Sequence, residues 1–405
     1  MRVDKSLINN INKQNVINII RSNGPIFKAE ISRLAGLSIP TIMKITDELI
    51  IKGLIREIGK GESSGGKPPQ LLEYIQDSYY MAGVDIGTTN IVVIIMDQAA
   101  SLLKKVVIPT EVEDTPENVI DRIIGSIEKA INGAGIDRKK LLGIGLGMPG
   151  LLDVQAGKVL FSPDFKWENV DLVRPIAERF HLPVVMNNVT RAMAMGEKWY
   201  GLGRGVENFI CINLGYGIGA AIVIDGELYS GSSGTSGEFG HMTLERNGPQ
   251  CDCGNYGCLE ALASANAITK KARFFLDKGE KSAILDIVKG NMEAVEAKTV
   301  FDAAKLGDSL ALEIIHEATE YIGVAIASII NFADPDLIVL EGGMSRAGDI
   351  LMDNICKVIS RRQMRYAGRK ARVVISELGG DAAAIGAASF LLKKLIENGG
   401  DAAAV

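Results

Sequence analysis

Three cysteines stand within eight residues in the run "CDCGNYGC", Cys251, Cys253 and Cys258, ten residues beyond His241. Three thiolates and one imidazole are the donor set of a closed tetrahedral zinc site. A site with four protein ligands keeps no position open for water or substrate, so the expected ion is structural Zn2+ and not a Lewis acid. The chain has five cysteines in all, and such clustering in a cytosolic protein favours metal over disulfides. Glu238 and Glu260 flank the knot and would be aimed with it. A ligating histidine also keeps its second ring nitrogen for a neighbour. Two carboxylates and an imidazole edge converging on a cleft suit the hydroxyls of a polyol.

A second chemistry lies in the glycine turns. "VDIGTTN" and "INLGYGIG" each end one strand-like run and begin another, and Asp85 and Asn213 stand 128 residues apart in them. Glycine at such turns lets backbone N–H groups approach a phosphate. The repeat predicts a duplicated α/β fold, two lobes closing on a cleft. "LIVLEGGMS" and "ELGGDAAAIGAA" supply further glycine turns, the latter opening the last helix. Between the repeats, "GMPG" leads to "FSPDFKWENV". There Phe165 or Trp167 is expected to stack on a sugar ring and Asp164 to accept a hydroxyl proton. "VVMNNVTRAMAMGE" breaks this pattern. From Asn187 to Arg191 it holds no carboxylate, histidine, cysteine or lysine.

The elements that must carry these residues follow from composition and period. A chain of 405 residues with 47% apolar content is ordered and divides into two or three domains. No apolar run approaches a membrane span, and "MRVDKSLINN" has no apolar leader region. The expected address is cytoplasmic, with no membrane partner. Residues 1–76 carry a net charge of +4, against −9 for the rest, as in a nucleic-acid reader joined to an acidic body. The run from Asn12 to Ile55 reads as three helices, the first with Ile8, Ile11, Val16, Ile19 and Ile20 on one face. The second ends at Gly36. Ser38 caps a third with Ile42, Ile45 and Leu49 inward, which makes a helix-turn-helix. Two strand-like runs around "GESSGG" form a wing. Ser38, Pro40, Thr41 and Lys44 are expected to face a DNA major groove, with Lys60 and Lys67 near phosphate. Cys211 and Cys356 read as buried small apolar residues, and His181 and His316 as surface residues.

Taken together, the winged helix ending in "GGKPP", the "DIGTTN" and "NLGYGIG" turns, "GMPG" and "GEFGH…CDCGNYGCLE" resemble the ROK family of repressors and sugar kinases over almost the full length. The resemblance implies an α/β body of actin-like, hexokinase type behind the winged helix-turn-helix. The expected domains are 1–76 (DNA-binding), 77–195 (first lobe) and 196–405 (second lobe with the zinc motif). It also implies zinc at His241, Cys251, Cys253 and Cys258, and sugar contacts from Asn188, Glu238, His241 and Glu260.

The family's sugar kinases carry Glu-Asn-Asp-Ala-Asn-Ala-Ala-Ala-Leu-Gly-Glu where this chain has Asn187 to Glu197. Their catalytic aspartate falls on Val189. Phosphoryl transfer to a hydroxyl needs a group that orients it and takes its proton, and loss of such a base costs about 10²–10⁴-fold. Thr88, Tyr216 and Glu341 replace the Gly, Thr and Gly usual on the nucleotide side, adding bulk or negative charge where a polyanion would bind. No side chain in the cleft is then expected to take a proton from bound sugar. These departures predict no catalytic residue and no enzyme. The expected protein is a sugar-responsive repressor that binds operator DNA as a homodimer or homotetramer, with a free sugar of xylose or glucose type as effector. The alternative is an active ATP-dependent sugar kinase with a fused DNA-binding domain.

Overall fold

The computed structural model describes residues 5–60, 70–366 and 371–405. The front end is α1 (Lys5–Asn23), β1 (Ile26–Phe27), α2 (Lys28–Ala35), α3 (Ile39–Ile51), β2 (Ile55–Lys60) and β3 (Gln70–Tyr74). β1, β3 and β2 form one antiparallel sheet. α2 stops at Gly36 in the left-handed conformation, and Ser38 caps α3 by accepting from Thr41 N. Val16, Ile17, Ile20, Ile31, Ile42, Ile45 and Leu49 make the core of this unit. Ile8 and Ile11, expected on the inner face of α1, are exposed, because only the C-terminal half of α1 meets that core. The wing tip with Lys67 lies outside the described residues.

The body follows as β4 (Tyr80–Ile86), β5 (Asn90–Asp97), β6 (Leu102–Pro109), α4 (Pro116–Ala134), β7 (Leu141–Met148), β8 (Leu151–Asp153), β9 (Lys158–Ser162), β10 (Trp167–Asp171), α5 (Val173–Phe180), β11 (Val184–Asn188) and α6 (Val189–Tyr200). Next come β12 (Phe209–Leu214), β13 (Ile218–Ile224), β14 (Glu227–Tyr229), α7 (Leu259–Ala263), α8 (Ala265–Asp277), α9 (Ala283–Ile287), α10 (Ala297–Lys305) and α11 (Ser309–Ala333). β15 (Leu337–Glu341), α12 (Asp349–Arg362), β16 (Arg372–Ile375) and α13 (Ala382–Glu397) complete it.

The two five-stranded sheets share one plan. The first runs β11-β7-β4-β5-β6 and the second β16-β15-β12-β13-β14. In each, an antiparallel meander is extended by two parallel strands on its first strand. The glycine turns at Gly87 and Gly215 therefore occupy equivalent places, as the repeat predicted. Strands β7 and β15 are buried along their whole length, which explains their unbroken apolar runs.

Two helices tie the lobes and the winged helix together. α13 comes from the end of the chain yet lies on β4 and β7 of the first sheet and against α6 and α1. The expected block 196–405 therefore does not stand as one lobe. Glycines permit this contact: a Cβ at Gly145 would fall 1.9 Å from the Ala387 carbonyl oxygen, and one at Gly386 would fall 1.6 Å from that of Ala192. The winged helix shares a continuous core with α13 through Leu391, Leu392 and Leu395. Lys52 Nζ also donates to Gly399 O at 3.0 Å, and Gln14 Nε2 to Glu397 O at 2.7 Å. No helix among the described residues is long and apolar enough to cross a membrane.

Candidate functional site

The metal knot is built by short-range constraints. His241 ends a single 3-10 turn, Phe239–His241, and Cys258 is the residue capping α7. Isolated bridges Thr243–Cys258 and Gln250–Tyr256 fold the intervening loop back on itself. The donor atoms of His241, Cys251, Cys253 and Cys258 all lie within 4.8 Å of one another. Cys253 Sγ and Cys258 Sγ are 3.8 Å apart, and Cys251 Sγ is 3.7 Å from His241 Nδ1. A tetrahedron with zinc–sulfur bonds of about 2.3 Å has edges of about 3.8 Å, and a mixed sulfur–nitrogen edge is only slightly shorter. The donor set and its spacing fit a divalent metal.

The knot holds the cleft wall. His241 turns Nδ1 to the knot and Nε2 to Glu238, whose Oε2 is 3.7 Å away. Glu260 stands two residues after Cys258 in the first turn of α7, and its Oε2 accepts from Ile218 N at 2.8 Å. Gly217 leaves room for this carboxylate: a Cβ there would lie 2.5 Å from that same oxygen and would make the Glu260 side chain shift.

Between the sheets lies a cleft of 790 Å³ that receives Asn188, Glu238, His241 and Glu260 together with Asp164, Val189 and Arg191. Such a volume is ample for a monosaccharide. β11 ends at Asn188, which caps α6. Its Oδ1 accepts from Thr190 N at 2.9 Å and its Nδ2 donates to Gly150 O at 3.2 Å. Val189 is the first helical residue of α6 and faces the cleft. Arg191 was missed in the sequence. Its Nη2 donates to Gly234 O at 2.7 Å and Ser236 O at 3.2 Å, clasping the loop that precedes Glu238.

Three expectations are corrected here. Phe165 and Trp167 are only 2% and 1% exposed and pack edge to face in the first-lobe core. They cannot stack on a sugar, because the β9–β10 hairpin turns Phe165, in its loop, and Trp167, at the start of β10, inward. Glu341 does line the cleft, but burial, then a hydrogen bond to Glu197, pushes its carboxyl up to about 9. It is neutral near pH 7 and adds no charge. Nor is the cleft free of proton acceptors. Burial, then Glu260 and Asp252, lifts Asp164 to about 6. Burial, then Asp381, lifts Asp85 to about 7, and Asp85 Oδ1 is buried without a hydrogen-bond partner. Thr88 and Tyr216 reach the cleft as expected. Away from it, Cys211 is buried as expected, but Cys356, expected to be buried, is exposed, because it lies on the outer face of α12; His181 and His316 are at the surface as expected.

On the face of α3 that the sequence assigns to DNA, Ser38, Pro40 and Lys44 are exposed, whereas Thr41 is half-buried and shares a 2.8 Å hydroxyl contact with Ser38. Ile39 and Met43 are also exposed there, at 42% and 48%.

A winged helix fastened to two repeated sheets around a cleft defines a DNA-binding head on a body of sugar-kinase type. The chain belongs to the ROK family, whose profile matches residues 81–394. It is 30% identical to a xylose repressor of Caldicellulosiruptor bescii over 96% of this chain and 98% of that protein. It is 38% identical to a glucokinase of Thermotoga maritima over 78% of this chain and 98% of the glucokinase. A crystal structure of a ROK family transcriptional regulator, a homolog of the E. coli MLC protein, superposes with a TM-score of 0.83 at 31% identity, covering 97% of this chain and 98% of that one. The regulators thus match head and body.

Proposed function

We propose that this protein is a sugar-responsive transcriptional repressor. The observation that carries the reading is the direct attachment of the winged helix to the two helices that join the lobes. α6 begins at the cleft with Asn188 and Val189 and ends at Trp199 and Tyr200. Twelve residues span about 18 Å. At the far end, Arg21 of α1 stacks on Trp199 at 4.3 Å and Tyr200 at 5.5 Å. Tyr200 Oη donates to Gln98 O at 3.0 Å, and Tyr74 at the end of the wing donates to Gln98 Oε1. A sugar held by Asn188, Glu238, His241 and Glu260 would close the lobes and move α6 beneath the winged helix. Ser38, Pro40, Thr41, Lys44 and Lys67 would hold operator DNA, with two or four copies of the chain spanning the half-sites. Sugar acts only if it prefers the DNA-incompetent arrangement, since equal affinity for both shifts nothing.

In this reading the ion at His241, Cys251, Cys253 and Cys258 is one structural zinc per chain. When bound it ties His241 to the start of α7, and these residues then orient Glu238 and Glu260. Val189 makes the body a receptor and not a catalyst. A working kinase is the second reading, favoured by the cleft carboxyls of Asp85 and Asp164. A footprint on the protein's own promoter region, with and without xylose, glucose and related sugars, tests the first. Protection lost on adding one sugar supports it. No protection under any condition, with steady ADP release from ATP and that sugar, would establish the kinase instead.

A further inference from the structure

Deepening the DNA-binding reading, and resting on it, we infer that α3 reads thymine methyl groups through Ile39 and Met43. α3 buries Ile42, Ile45, Thr46 and Leu49 and turns Ile39, Pro40, Met43, Lys44 and Asp47 outward. Those outward positions form one stripe from the helix N-terminus, the part of a recognition helix that meets base edges. The stripe has little to hydrogen-bond with. Ser38 and Thr41 hydroxyls are engaged with each other and with the cap. Asp47 lies 3.8 Å from Lys28 Nζ. Lys44 is the one long donor, and the stripe holds no Arg, Asn or Gln with which to grip guanine or adenine in bidentate fashion.

Ile39 and Met43, one helical turn apart, present adjoining apolar side chains that are otherwise unexplained on a solvent face. The occupant is DNA and not a second protein surface, because the exposed Lys44 stands on the same stripe and the unit of residues 1–76 carries a net charge of +4. Arg33 and Arg56, also exposed on this unit, are paired with Glu30 and Glu73. In the major groove the apolar feature on offer is the thymine C5-methyl group. Each half-site should therefore carry thymines opposite the first two turns of α3.

The test uses the full-length protein. A duplex selected from a random-sequence library is remade with deoxyuridine at one thymine at a time, which removes the methyl and nothing else. Burial of one methyl predicts about a fourfold loss of affinity at a contacted position. Ile39→Ala and Met43→Ala should bring the thymine-to-uracil ratio at their positions to one. Lys44→Ala should weaken both duplexes equally. Both apolar side chains are exposed, so the variants should fold. Ratios of one at every position in the wild type, or ratios unchanged in both alanine variants, overturn the methyl reading while DNA binding stands. Failure to enrich any duplex overturns the DNA-binding reading itself.

Discussion

Removal of Arg21 tests whether α6 carries the signal. The guanidinium is the only group of α1, among the described residues, shown stacked on the end of α6, at 4.3 Å from Trp199 and 5.5 Å from Tyr200. A partly desolvated cation over an aromatic face contributes about 0.5–2 kcal/mol. With two rings engaged, Arg21→Ala should weaken the contact between winged helix and α6 by about 1–2 kcal/mol. Coupling energies between sites are typically about 1–3 kcal/mol, so this change would remove much of the response. Expressed as a ratio, the effect of saturating sugar on operator affinity should shrink by about 5- to 30-fold. Operator affinity measured by anisotropy with and without sugar gives the ratio directly. Arg21 does not line the cleft, so the thermal shift produced by sugar should remain, which separates lost coupling from lost binding. A Trp199→Ala variant and the double variant complete a cycle, and non-additivity of about 1 kcal/mol in stability would locate the energy in the pair. An Arg21→Ala protein that keeps the wild-type sugar ratio at full occupancy would refute transmission through α6.

Two further outcomes follow from the site. Cys253→Ser should lower bound metal from about one zinc per chain towards none and abolish the sugar-induced thermal shift, because Glu260 follows Cys258 by two residues; metal analysis with a sugar melt checks both. Glu341→Gln should stabilise the protein above about pH 5. The folded carboxyl, held up to about 9 by burial and Glu197, binds a proton that the unfolded chain releases above its ordinary value near 4.5. Wild-type stability therefore falls as pH rises between those values, by on the order of 3 kcal/mol at pH 7. Chemical denaturation of both proteins at pH 4.5 and 8 should give a difference only at the higher pH.

What the sequence made legible was local. The metal quartet spans His241 to Cys258, and backbone turns alone bring it together. The recognition helix announced its start through Ser38 and its inner face through Ile42, Ile45 and Leu49. The repeated sheets were legible because both glycine turns sit between strands. The errors are all long-range. Phe165 and Trp167 looked available because nothing in "PDFKW" shows which side of β9 and β10 meets the first-lobe core. Glu341 looked anionic because its partner, Glu197, belongs to another element, and only the fold reveals that the carboxyl is buried. Arg191 was overlooked since the carbonyls it clasps lie 43 and 45 residues away. The return of α13 to the first sheet depends on Gly83 and Gly145, whose small size gains meaning only once Ala384 and Ala387 lie against them.

The pattern of what this chain keeps and what it changes argues for a receptor. The proposed sugar contacts Asn188, Glu238, His241 and Glu260 stand together in one cleft with an intact metal quartet behind them. The changes fall at Val189, where the resemblance puts a kinase's catalytic aspartate, and at Thr88, Tyr216 and Glu341, where it puts the nucleotide side. Asp164, near 6, has a proton affinity suited to a general base at neutral pH. Proton affinity alone is therefore no ground for denying catalysis. Position is the stronger ground. An acid at the first residue of α6 would be held anionic by the helix N-terminus and flanked by the capping Asn188, and Val189 gives that up. Glu341, neutral and buried, contributes no charge to attract or orient a metal-bound polyphosphate. Binding energy that an enzyme would reserve for the transition state is then available in the ground state. In the proposed repressor it would favour the lobe arrangement that fits the sugar, and α6 and α13, which pack against the winged helix, would carry that arrangement to it.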